Sequence, residues 1–224
     1  NENNAILFRA GSEWSFEPGT DGFVYRSKKV SMALPPPALR GTHQIVNAAT
    51  AVACVEQCGQ IVITEKDIAA GIANAHWPGR LEPLPDGPLR RRLPPDWDIW
   101  LDTGHNAAAG EALAVELRQI NANRPHPLHI IFGLLDDKDP VAFLSPLAIL
   151  ATSVTAVPLP HERRSHYSQT SAETLTSAGI MAGWAPSLDA AFDALAKIPD
   201  GARVLICGSH VLAGSALRGN VQPL

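Results

Sequence analysis

From residue 98 to residue 217, short apolar runs alternate with amphipathic stretches, and no other feature constrains the fold as tightly. The spacing predicts strands over 98–102, 129–135, 154–159 and 203–207. It predicts helices over 107–120, 141–150, 172–178, 188–198 and 211–217. Short strands that are apolar throughout are buried on both faces, so this alternation reads as an α/β fold with a mostly parallel sheet.

The segment before it has a different texture. Residues 5–9, Trp14 with Phe16, 22–26 and 30–34 read as short strands, with a turn at Gly19-Thr20-Asp21-Gly22, which together suggest an antiparallel meander. Pro35-Pro36-Pro37 breaks it. Over 44–58, Ile45, Val46, Ala48, Ala49, Val52, Ala53 and Val55 recur at helical spacing, with Gly59 as the expected stop. Thr64 reads as the N-cap of a second helix carrying Ile68 and Ile72 on one face. Trp77-Pro78-Gly79-Arg80 is a boundary signal, so the chain divides into domains at 1–78 and 79–224.

The 224 residues, 46% apolar and 18% charged, suffice for a large core,. Eighteen Lys and Arg against 22 Asp and Glu give a net charge of −4, which excludes a nucleic-acid binder relying on net charge,. Three cysteines do not make a disulfide scaffold, and the odd number fits a reducing compartment,. No apolar run approaches the roughly 18 residues of a membrane span, and the polar start Asn1-Glu2-Asn3-Asn4 is not a signal peptide. The reading is a soluble, cytoplasmic, monomeric protein without nucleic-acid or membrane partners. The absence of an initial Met is what a processed product or a fragment would show.

Ligands of open parallel sheets gather outside the carboxyl ends of strands. Three strands here end in polar groups: Asp102-Thr103-Gly104-His105-Asn106, Gly133 through Asp136-Asp137-Lys138-Asp139, and Gly208-Ser209-His210. Carboxylates there suit a ribose, an amine or a metal, and the helix N-termini that follow suit anions. Asn106 and Ser209 read equally well as helix caps, and Asp137-Lys138-Asp139 as a solvated turn. Cys54 and Cys58, four apart on a helix, read as buried small side chains rather than zinc ligands. His161 and His166 read as surface-loop residues. Arg90-Arg91-Arg92 lies in the Pro-rich stretch 85–95, which reads as an exposed loop. Neither a G-x-x-x-x-G-K-[ST] loop nor a G-x-G-x-x-G fingerprint is present,.

Five strings occur in one order: Gly41-Thr42-His43-Gln44 with Asn47-Ala48-Ala49, Trp77-Pro78-Gly79-Arg80-Leu81-Glu82, Leu101-Asp102-Thr103-Gly104-His105-Asn106, Phe132-Gly133 with Asp137-Lys138-Asp139, and Cys207-Gly208-Ser209. That order resembles the folylpolyglutamate synthase/dihydrofolate synthase branch of the Mur ligase superfamily. The resemblance implies an ATP-dependent ligase that activates a carboxylate of a pteroate or folate as an acyl phosphate, which the amine of L-glutamate attacks. It implies the end of a central ATPase domain, a small strand-plus-helix remnant, followed by a Rossmann-like C-terminal domain. The family's P-loop, Mg²⁺ ligands and carbamylated lysine have no match, so the chain alone is expected to be inactive, with no catalytic residue and no metal ligand of its own. The 85–95 stretch is long for the family and reads as an insertion.

Carried over by motif, Asn47, Arg80 and Asp102 resemble the family's nucleotide contacts, and His105 and Ser209 its glutamate-side residues. Asp102, His105, Asp137, Lys138 and Ser209 are expected at one sheet edge, facing the side from which Arg80 and Asn47 approach, and Asp102→Ala should change folding little if that side chain faces solvent in an open cleft. A cell-wall Mur ligase fragment and a non-catalytic Rossmann-like binding module stay open as alternatives.

Overall fold

The computed structural model describes residues 7–58, 62–199 and 201–220. They form two compact units, one ending at Trp77 and the other beginning at Pro78.

In the first unit, β1 (Trp14–Gly19), β2 (Gly22–Ser27) and β3 (Ser31–Leu34) make an antiparallel meander, followed by helices α1 (His43–Gln57) and α2 (Glu65–Ala73). Alternate strand residues Trp14, Phe23, Tyr25, Met32 and Leu34 bury themselves against the small-residue stripe Ala49, Val52 and Ala53 of α1. Period two on the sheet and period 3.6 on the helix thus meet in one core. Glu56 locks the pair by accepting from Tyr25 Oη at 2.7 Å and Ser27 Oγ at 2.8 Å. Thr64 caps α2: its hydroxyl accepts from the Asp67 N–H at 3.3 Å, while Asp67 accepts from the Thr64 N–H at 2.9 Å,. Ile68 and Ile72 pack partly buried on the same core.

The second unit holds six strands, β4 (Glu82–Pro83), β5 (Asp98–Leu101), β6 (Leu128–Phe132), β7 (Ala151–Ala156), β8 (Gly183–Trp184) and β9 (Arg203–Cys207). Their order is β4-β5-β9-β6-β7-β8, with β4 antiparallel to β5 and every other pairing parallel. Helices α3 (Ala107–Asn123), α4 (Pro140–Ala148) and α5 (Ser168–Ser177) cover one face, and α6 (Leu188–Leu195) and α7 (His210–Gly219) cover the other. In β9, Val204 and Ile206 enter one core while Leu205 and Cys207 enter the other. That two-sided burial is why the strand is apolar at every position but its first.

Several expectations need correction. The described part of 5–9, Leu7 to Arg9, is irregular, and only Ala10 bridges to Trp14; Ala5, Ile6 and the stop at Gly59 lie outside the described residues. Strand β6 ends at Phe132, not 135. Leu134 stays apolar because it is buried, its carbonyl accepting from the His166 N–H of a loop at 2.8 Å. Strand β7 starts at Ala151, three residues early, because its alternating Thr and Ser belong to a strand only partly covered. Strands β4 and β8, two residues each, are too short to leave a pattern.

The 85–95 stretch is not simply exposed. Leu89 and Leu93 are buried, and Arg90 gathers the carbonyls of Leu93, Pro94, Pro95 and Trp97 at 2.8–3.3 Å. Arg92 pairs with Asp189 and Asp193 of α6. Cys54 and Cys58 are exposed rather than buried, since position 54 falls outside the stripe of α1 that meets the sheet and Cys58 lies past the last turn.

Candidate functional site

Three parallel strands end side by side. Leu101 of β5 pairs with Ile206 of β9, and Phe132 of β6 pairs with Cys207. The Asp102 N–H extends the first ladder to Ile206 O at 2.9 Å, and the Gly133 N–H extends the second to Cys207 O at 3.2 Å. The loops that follow therefore leave at the carboxyl edge of the sheet, where such folds collect ligands. Only glycine fits at 208: φ is +101°, and a Cβ there would stand 2.6 Å from Gly133 O,.

Each loop enters a helix through a capping side chain. Asn106 accepts from the Ala109 N–H at 2.9 Å, and Ser209 from the Val211 N–H at 3.0 Å. Asp139, read from sequence as part of a solvated turn, accepts from Val141 and Ala142 at 2.9 and 3.1 Å ahead of Pro140. Three positive helix ends thus follow three adjacent strands, a bias toward anions.

Asp102 does not face an open cleft. It is 7% exposed; Oδ2 accepts from the Leu81 N–H at 2.9 Å and Oδ1 from the Gly104 N–H at 2.6 Å. Burial follows because two backbone donors replace the water that a carboxylate would otherwise need. Burial and this nearby charge push the Cys207 thiol well up from its ordinary value. Thr103, unremarked in the sequence, is a hub. Its N–H donates to Gly79 O at 2.9 Å, and its hydroxyl accepts from Arg80 Nη1 at 3.2 Å. Leu81 is a buried non-glycine residue at φ +44°, a left-handed conformation that costs on the order of 1–2 kcal/mol,.

His105 is half-buried, with Nδ1 3.0 Å from Thr103 O. A carbonyl only accepts, so Nδ1 carries the proton and Nε2 has the lone pair of the neutral ring. The exposed His210 ring, named in the sequence only as the end of the third strand-end string and given no role, lies 6.2 Å from that of His105. Asp137 and Lys138 sit on the loop after β6, joined to Arg164, which bridges Asp136 and Asp137 at 3.1 and 3.2 Å. Burial works to raise the Asp137 carboxyl, but its hydrogen bonds and charge pairing with Arg164 and Lys138 outweigh it and hold the group low.

In the first unit, Asn47 donates to Gln44 Oε1 at 3.0 Å. The two amides line a largely apolar pocket of about 480 Å³ walled by α1 and α2. Gln44 was legible only as part of the Gly41–Gln44 string. Among the described residues no group of three or more His, Cys, Asp and Glu side chains is arranged to hold a metal ion, and no helix is long and apolar enough to cross a membrane.

Residues 89–210, more than half of the chain, match the family model of the Mur ligase glutamate ligase domain. The chain belongs to the Mur ligase family. This Mur ligase chain is 31% identical over 156 residues to the folylpolyglutamate synthase of Lacticaseibacillus casei, covering 70% of this chain and 32% of that protein. It is 29% identical over 214 residues to the Escherichia coli dihydrofolate synthase/folylpolyglutamate synthase, covering 95% and 46%. Escherichia coli FolC in complex with DHPP and ADP superposes with a TM-score of 0.76 at 26% identity, over 96% of this chain and 47% of that one. The chain spans about a third to a half of the length of these relatives.

Proposed function

We propose that this Mur ligase chain supplies the nucleotide- and glutamate-facing end of an ATP-dependent ligase that joins L-glutamate to dihydropteroate or folate. The observation that carries the reading is the carboxyl edge of β5 and β9, where capped helix ends, Arg80 and His105 come together. The kinship with folylpolyglutamate synthases directs the choice of substrate.

The residues suit these ligands chemically. Arg80 offers a permanent cation whose fork matches phosphate oxygens. Asn47, with Gln44 beside it, presents amide donors and acceptors at an apolar pocket, which suits a flat base,. His105 and Ser209 suit glutamate, the first through the Nε2 lone pair, which can accept from the ammonium group, and the second through a helix N-terminus, which favours a carboxylate,. ATP, when bound, supplies the phosphoryl group that activates the folate carboxylate. Mg²⁺ finds no ligand set among the described residues, so no step here runs through it. Free thiols at Cys54, Cys58 and Cys207 suit a reducing cytoplasm,.

The test is an assay of the full-length gene product with ATP, L-glutamate and dihydropteroate or folate. Amide formation with matched ADP release is expected, and the 224-residue chain alone should give none. Turnover confined to muramoyl substrates would move the protein to the cell-wall branch. Turnover of neither class would sink the ligase reading.

A further inference from the structure

We infer that the amino edge of the second unit's sheet holds a binding site for a small aliphatic monocarboxylate, at the far end of the strands from the candidate site. A pocket of about 310 Å³ opens there, where the last turns of α3, the start of β6 and Leu150 beyond α4 meet. Leu117, Leu128 and Leu150 give it aliphatic walls, and Arg118, Asn121 and Arg203 bring the polar groups. Among the described residues, no Asp or Glu lines it. The volume lies at the lower end of the range that small-molecule sites occupy, about 300–1,000 Å³. None of the residues assigned to ATP or glutamate takes part, so this site and the ligase reading can fail independently.

The hydrogen-bonding capacity left over at this lining is on the donor side. Asn121 Oδ1 accepts from Arg203 Nη1 at 2.9 Å and from the His126 N–H at 2.9 Å, which fixes the orientation of the amide and leaves its NH₂ to donate,. Arg203 is 1% exposed, and its Nε–H finds no acceptor among the described residues. Folded chains seldom keep such a donor, because its desolvation goes uncompensated until a partner arrives. Charge points the same way. Asp98, the carboxylate bonded to Arg203 at 3.1 Å, is shared with Arg124 at 2.9 Å, so two guanidinium groups meet one carboxylate. Arg118, exposed on α3, adds a further permanent cation,. Donors and positive charge select an anion, and the leucine walls select an apolar body. A monocarboxylate carries both: its oxygens accept from the Arg203 Nε–H and the Asn121 NH₂, its chain lies on the leucines, and Arg118 closes the rim. Inorganic phosphate would leave the walls unused, and a neutral amide would bring a dipole where the lining favours a charge.

The probe is hexanoate, with hexanamide as its neutral counterpart, titrated calorimetrically into the full-length protein. Saturating ADP and L-glutamate are present throughout, to occupy any site for them at the opposite edge. Hexanoate should bind about 10-fold or more tightly than hexanamide, the order expected for a charge-assisted bond. Amide hydrogen exchange should slow over residues 117–128 and 150–153 when hexanoate is added, and should stay unchanged over 102–106. Ala122→Phe, which fills the pocket from its α3 wall, should abolish binding, and Arg118→Gln should weaken it about 3-fold or more,. Arg203→Met should abolish the preference for hexanoate over hexanamide. Since that variant also removes structural bonds, Ala122→Phe and Arg118→Gln carry the test if it does not fold. Equal affinity for the two probes would mean that the donors are satisfied by water and would overturn the inference. So would protection confined to other segments, or hexanoate affinity unchanged in both Ala122→Phe and Arg118→Gln. Absence of binding at about 20 mM hexanoate, near the weakest affinity expected of a fitted ligand of this size, would overturn it as well.

Discussion

Arg203, the first residue of β9, is 1% exposed at the amino edge of the second unit's sheet, opposite the candidate site. Its guanidinium donates to Asn121 Oδ1 at 2.9 Å, to Arg124 O at 3.0 Å and to Asp98 Oδ2 at 3.1 Å, tying α3 and β5 to β9. Replacing it with methionine keeps the apolar stem and removes all three bonds. Two bonds to neutral acceptors and one to a carboxylate sum to roughly 3–5 kcal/mol in net terms. Part of that returns, because the buried Nε–H of Arg203 has no partner and its desolvation penalty, about 1–3 kcal/mol, disappears with it,. No bonded side chain is orphaned: Asp98 keeps Arg124 at 2.9 Å, and Asn121 Oδ1 keeps the His126 N–H at 2.9 Å. The expected loss for Arg203→Met is therefore about 2–3 kcal/mol, below the figure for stripping a fully buried ion pair. That corresponds to a fall of roughly 5–10 °C in the melting temperature of the second unit. Scanning calorimetry reads it, with the transition assigned to this unit by amide exchange in β6 and β9. A change under about 0.5 kcal/mol, or a stabilisation, would show that the desolvation of Arg203 cancels its bonds and that the clasp does not hold the sheet.

Three further outcomes follow from the same coordinates. Asn106→Ala and Ser209→Ala should each lose about 1 kcal/mol of stability through the cap, read by thermal melting, and a loss near zero would mean water replaces the cap without penalty,. Gly208→Ala should lose at least about 2 kcal/mol, since both its φ and the Gly133 carbonyl oppose a side chain, and wild-type melting of that variant would contradict the close approach,. His129 is buried, with Nδ1 2.7 Å from Ser153 Oγ and its ring stacked on Trp97, and burial lowers its pKa from 6.5. The unfolded chain then binds the proton first, so the His129 contribution is whole above about pH 6.5 and is lost as pH falls from there toward the depressed value. Melting between pH 7.5 and 5 should show the decline, and His129→Gln should flatten it; an unchanged slope in the variant would exclude His129 as the source.

What was legible in the sequence was whatever repeats or sits next to its partner. Val204 to Cys207 announced a strand covered on both faces, and Thr64 announced a cap, because pattern and cap are local. The partners of Asp102 were not legible. They are the N–H groups of Leu81 and Gly104, the first brought from 21 residues away by the pairing of β4 with β5, and a backbone N–H carries no mark of its use. Leu81 gave no sign of a left-handed backbone, whereas Gly79 did. In the 85–95 stretch the Pro and Arg content suggested exposure and hid the one useful signal, Leu89 and Leu93 four apart and both buried. His210 was passed over because its neighbour Ser209 completed the recognisable string, yet its ring is the one that stands near His105.

The string Asp102-Thr103-Gly104-His105-Asn106 therefore divides its labour by direction rather than by residue type. Asp102 and Thr103 point inward and hold the 79–82 segment, the exposed Asn106 caps the start of α3, and His105 is half-buried. Replacing a side chain that serves as acceptor to the backbone leaves those N–H groups without a partner, at a cost that falls on stability whatever the side chain does for a ligand,. Asp102 and Asn106 carry such bonds to backbone N–H groups, whereas Arg80 and His105 do not. Arg80→Ala and His105→Ala should then change ligand affinity at nearly constant stability. Asp102→Ala and Asn106→Ala should change stability, whatever they do to affinity, and thermal melting of the four variants beside their ligand affinities separates the two pairs.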